Sequence, residues 1–71
     1  MKRAALIRRI QAAAVGQDKR CELVRQGRRH EFWEVGGMRF AVPRHRDLNE
    51  WTAEAIMREL EPIFGEDWWR P

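Results

Sequence analysis

The chain has 71 residues, one cysteine and a formal net charge of +3. That length fits one domain over residues 1–71, because shorter pieces could not each close a core. A core of this size stabilises by only about 3–5 kcal/mol, so a partner or a second copy would help it. The lone thiol excludes an internal disulfide and a cysteine-rich metal site. Arg8 and Arg9 interrupt the one candidate leader segment, Ala4–Val15, and no run approaches the roughly 20 apolar residues that span a bilayer. The expectation is a cytoplasmic protein that needs no membrane, metal or other cofactor.

Charge is segregated along the chain. Residues 1–19 carry five Lys/Arg against one Asp (+4), and residues 20–46 carry seven Arg against three Glu (+4). Residues 47–71 carry two Arg against seven Asp/Glu (−5). A concentrated basic surface attracts phosphate backbones, although arginines also serve simply to solvate a small domain.

Leu6, Ile7, Ile10, Ala13 and Ala14 recur at helical spacing and predict an amphipathic helix over about 2–15, ended by Gly16. After the polar linker Gln17–Arg20, residues 21–26 read as a strand, and Gly27-Arg28-Arg29 can turn the chain. A second strand is predicted over 30–35, with Phe32 assigned to the core and Trp33 either to the core or to stacking on a base. Gly36-Gly37 is a two-residue hairpin signal, because both positions accept positive φ. Met38, Phe40 and Val42 alternate with Arg39 and Ala41, giving a third strand over 38–43 that Pro43 closes. Asn49 is a favoured N-cap for a helix over about 50–61, whose stripe is Ala53, Ile56, Met57 and Leu60. Trp51, in its first turn, is expected to be half-buried. An aromatic tail, 62–71, contains Phe64, Trp68 and Trp69, which could fold back on the core or anchor a partner. The predicted class is α+β, in the order α-β-β-β-α. Its three-stranded antiparallel sheet would carry two helices on one face and leave the other free for a ligand.

Two segments carry chemistry. In Gly27-Arg28-Arg29-His30, a glycine turn delivers a histidine to the start of a strand behind two arginines. RNA cleavage needs a group that takes the 2′-hydroxyl proton and donors for the crowded phosphate. Imidazole exchanges protons near neutral pH, and the guanidinium fork donates paired hydrogen bonds to phosphate. A surface histidine on a basic strand is the plainer reading of the same residues. Val42-Pro43-Arg44-His45-Arg46 is a second basic cluster, able to grip a phosphate or to stand as a solvated loop. His30 and His45 lack a cysteine partner, so a structural zinc site is not expected.

The stretch from Leu23 to Trp33 resembles the first two strands of the HicA family of toxins, in which a glycine shortly precedes an essential histidine. Val42-Pro43-Arg44-His45 resembles that family's Val-Pro-x-His element, and Asp47–Glu50 with Thr52, Ala53 and Ile56 resembles its link into the last helix. The likeness covers roughly residues 4–60. It implies a fold similar to the double-stranded-RNA-binding domain, endoribonuclease activity on messenger RNA, and a HicB-type antitoxin that covers the histidine. An oligomer would then form through the antitoxin. His30 stands at the position of the family's catalytic histidine and Gly27 at that of its shaping glycine. Arg44 and His45 take a supporting role, and Arg28, Arg29 or Arg44 would stabilise the phosphate. Arg28 and Arg29 replace the Ser or Lys of many members, which changes the geometry of phosphate binding. A non-catalytic RNA-binding module on the same surface is the main alternative, and a plain interaction domain for an acidic protein is a third.

Overall fold

A computed structural model describes residues 1–71. Helix α1 spans Arg3–Gly16, and strands β1, β2 and β3 span Cys21–Gln26, His30–Val35 and Met38–Pro43. Helix α2 spans Glu50–Glu59 and is followed by a single turn, α3, at Glu61–Phe64. The strands form one antiparallel sheet in the order β1-β2-β3. The fold is α+β with the predicted α-β-β-β-α order.

The β2–β3 turn sets the register. Gly36 and Gly37 have φ of 56° and 79°, a pair of positive values that most side chains resist but a tight hairpin turn requires. Val35 is therefore opposite Met38, Trp33 opposite Phe40 and Glu31 opposite Val42 on one face. Phe32 opposite Ala41 and His30 opposite Pro43 lie on the other. Val35, Phe40 and Val42 are buried, and so are Leu6, Ile7, Ile10 and Ala14 of α1. Ala53, Ile56 and Met57 of α2, with Leu48 and Leu60 at its two ends, complete a single cluster of twelve. Both helices thus cover the same face of the sheet. Removing these side chains from water at about 25 cal/mol per Å² is the main force holding the layers together.

Local chemistry sets the helix ends. Asn49 accepts a hydrogen bond from the Thr52 N–H at 2.7 Å, satisfying one of the donors left unpaired at the start of α2. Helix α2 stops at Glu59 rather than running to 61. Pro62 has no N–H for the ladder, and Leu60 turns the chain into α3. Two further expectations fail. Phe32 is not core, because the phase fixed by Val35 turns it to the outer sheet face. Trp51 is 82% exposed, since it lies off the stripe made by Ala53, Ile56, Met57 and Leu60. Trp33 does pack against the core.

The tail folds back over α2. Trp68 Nε1 donates to the Met57 carbonyl at 2.7 Å, and its ring lies 4.8 Å from that of Phe64. The Trp69 ring sits between Arg58 and Arg70, at 5.3 and 5.4 Å. Hydrogen bonds from Arg70 and Arg58 hold the Glu54 carboxyl below the usual carboxylate range. Burial pushes the half-buried Cys21 thiol up to about 11, helped by Glu22, so it stays protonated and is a poor nucleophile at neutral pH. No helix is long and apolar enough to cross a membrane.

Candidate functional site

His30 opens β2 on the outer sheet face, away from both helices. The loop before it is closed by the Gly27 N–H donating to the His30 carbonyl at 2.8 Å. The space there, rather than an unusual φ, requires glycine at 27. A Cβ would lie 3.0 Å from the His30 carbonyl oxygen and 3.1 Å from Phe32 Cε2. Gly27→Ala is therefore expected to cost about 1–3 kcal/mol through overpacking, read as a lowered midpoint of thermal unfolding. An unchanged midpoint would show that the loop before His30 is not held this way.

The β2–β3 ladder continues past Pro43, with the Arg44 N–H donating to the Arg29 carbonyl at 3.0 Å. Arg44 Nη1 also donates to the Gly27 carbonyl at 3.0 Å, tying the second basic cluster to the glycine loop. The connection to α2 is pinned by backbone bonds from Arg3 to the Arg46 carbonyl at 2.9 Å and from Leu48 to the Met1 carbonyl at 2.8 Å. The two segments selected from the sequence, 27–30 and 42–46, therefore meet.

They meet in a cleft of about 750 Å³ lined by Arg28, Arg29, His30, Pro43, Arg44, His45, Asn49 and Thr52. No carboxylate lines it. Glu31, next in sequence to His30, points to the helix side, where it accepts from Trp33 Nε1 at 3.3 Å and pairs with Arg3 at 3.8 Å. Arg25, Arg28, Arg29, Arg44 and Arg46 form no ion pair, whereas Lys2, Arg3, Arg20, Arg39, Arg58 and Arg70 do. Arg8, Arg9 and Lys19 are also unpaired but lie on α1 and the linker after it, whereas Arg28, Arg29 and Arg44 line the cleft beside His30. The N-terminal turn of α2 faces the same cleft through Asn49 and Thr52, and its dipole adds to the positive potential. Such a cleft suits an anion with several acceptor oxygens.

A second, shallower cleft of about 400 Å³ adjoins the first and shares Arg28, Arg29 and His30 with it. Arg25, Gly27 and Phe32 complete it. All six residues selected from the sequence are at the site: His30, Gly27, Arg28, Arg29, Arg44 and His45. Four were missed as site residues. Asn49 and Thr52 read as helix start, Phe32 as core and Arg25 as a strand cation, although the hairpin register already placed Phe32 on the face of His30. No group of three or more His, Cys, Asp or Glu side chains is placed to hold a metal ion. No family model matches the chain, and no curated protein or solved structure matches it either.

Proposed function

We propose that this chain is a metal-independent endoribonuclease of the HicA type, the toxin of a toxin–antitoxin pair, and that it cleaves messenger RNA. The observation that carries this reading is the cleft itself, where two imidazoles and three arginines converge with no carboxylate among them. A phosphodiester in that cleft sits between two groups able to move protons, and the guanidinium groups balance the charge that builds on its oxygens.

In the reaction, His30 takes the proton of the 2′-hydroxyl and the 2′-oxygen attacks phosphorus. The bond to the 5′-oxygen breaks, and His45 in its protonated form supplies the proton to that oxygen. The products are a 2′,3′-cyclic phosphate and a 5′-hydroxyl, and one proton has been taken up for each one given. Arg28, Arg29 and Arg44 hold the phosphate. The toxin role and a HicB-type antitoxin over His30 rest on the sequence resemblance, and an exposed His30 at a cleft mouth is compatible with such a cover.

The test is incubation of the purified protein with a long single-stranded RNA in EDTA, followed by mapping of the new ends. Cyclic-phosphate or 3′-phosphate ends beside 5′-hydroxyl ends are expected. Loss of cleavage in EDTA, or 5′-phosphate ends, would overturn the mechanism. Binding without any cleavage would instead identify an RNA-binding module on the same surface.

A further inference from the structure

Phe32 is the large aromatic ring on the open face of the sheet, two residues from His30. Its ring lies 6.4 Å from the His30 ring, tilted by 42°. Its partners across the ladders are Ala41 on β3 and Arg25 on β1, and the ring lines the second cleft. Over the ring, 4.7 Å from its centroid, is the Arg25 guanidinium, which forms no ion pair. The ring is half-buried against the Gly27 loop, and the face beneath Arg25 can be freed at low cost, because exposed cation–π contacts are weak.

We propose that Phe32 is a nucleobase-stacking subsite beside His30, so that the RNA taken by this site is single-stranded at the base next to the cleaved phosphate. The inference rests on the nuclease reading for its link to cleavage, but its binding prediction stands apart from it. The two clefts share Arg28, Arg29 and His30, so a phosphate held in the first leaves the adjoining sugar and base at the second. The base takes the place of the Arg25 guanidinium over the ring, and Arg25 turns to the flanking phosphate. A base inside a duplex is paired and stacked on its neighbours, so it cannot reach the ring without being splayed out. Gly27 contributes by letting the ring lie against the backbone before His30.

The experiment measures binding of 2′-fluoro oligonucleotides, which cannot be cut through the 2′-oxygen. A single strand bearing bases, an abasic strand of the same length and a duplex are compared. Each is titrated against wild type, Phe32→Leu and Phe32→Trp, with circular dichroism confirming that the variants fold. Base stacking on an aromatic side chain is worth about tenfold to a hundredfold in affinity. Wild type and Phe32→Trp are expected to prefer the base-bearing single strand by about that factor, and Phe32→Leu to bind it and the abasic strand alike. Wild type that does not distinguish the strands, or that favours the duplex, would overturn the subsite. So would a Phe32→Leu variant that retains the preference. Cleavage of an all-ribose strand is followed in parallel. A Phe32-dependent preference without cleavage keeps the subsite and removes the nuclease, whereas cleavage without the preference does the reverse.

Discussion

Replacing His30 by alanine is expected to leave a folded protein that cuts RNA about 10²–10⁴-fold more slowly, the usual range for removing a general base. The fold tolerates the change because the His30 side chain is exposed and makes no hydrogen bond that the core depends on. Affinity for RNA is expected to change little, because on the proposed reading the arginines of the cleft carry the phosphate contacts. A loss of binding equal to the loss of turnover would place His30 among the phosphate donors and remove it from proton transfer. His45→Ala separates the two imidazoles. On ordinary RNA it also slows cleavage, but on a strand whose leaving 5′-oxygen is replaced by sulfur the rate recovers, since a thiolate leaves without a proton. His30→Ala does not recover on that strand, because the 2′-hydroxyl still has to lose its proton. If neither variant recovers, His45 is not the acid.

That His30 and His45 share one end of the sheet follows from the hairpin signal, although the two basic clusters read as separate segments. A two-residue turn at Gly36-Gly37 sets Val35 against Met38, and counting five residues back along each strand puts His30 opposite Pro43. Arg29 then faces Arg44, and the loop after β3 brings His45 to the same end of the sheet. The face occupied by Phe32 was harder to see. Phe32 and Trp33 are adjacent and both apolar, so a period of two allows either to point inward. Val35, buried at the far end of β2, settles the phase, and it fixes Trp33 inside and Phe32 outside. Trp51 was misread although the spacing was sufficient, because the stripe through Ala53, Ile56, Met57 and Leu60 does not pass through position 51. The bulge in β1, which leaves Val24 without a partner between Leu23 and Arg25, has no local signature in the sequence. The tail was illegible for a different reason. Its docking depends on Trp68 finding the Met57 carbonyl and on Glu54 binding both Arg58 and Arg70, contacts that no periodicity encodes.

Leu60→Ala is expected to unfold the protein, or nearly so, at 37 °C. Leu60 is fully buried at the junction where α2 ends, and its carbonyl accepts from both Ile63 and Phe64 at 3.0 Å. Truncating a buried leucine costs about 2–5 kcal/mol, from lost transfer energy and the cavity left behind. The whole domain has only about 3–5 kcal/mol to lose. Helix propensity cannot offset the change, since alanine gains a few tenths of a kcal/mol at best and Leu60 lies outside the regular part of α2. In a domain of this length each kcal/mol moves the thermal midpoint by about 4–8 °C, so a fall of more than about 10 °C is expected by circular dichroism. Leu60→Met, which keeps the volume, should cost less than about 1.5 kcal/mol. Trp51→Ala is the contrasting case. It removes a larger apolar side chain, yet one that is 82% exposed, and the midpoint should shift by no more than an exposed surface change of about 0.5 kcal/mol allows. A Trp51→Ala variant less stable than Leu60→Ala would mean that the core does not lie where α1, α2 and the inner sheet face meet. The outer face, on which the proposed chemistry of His30 depends, would then be wrongly assigned too.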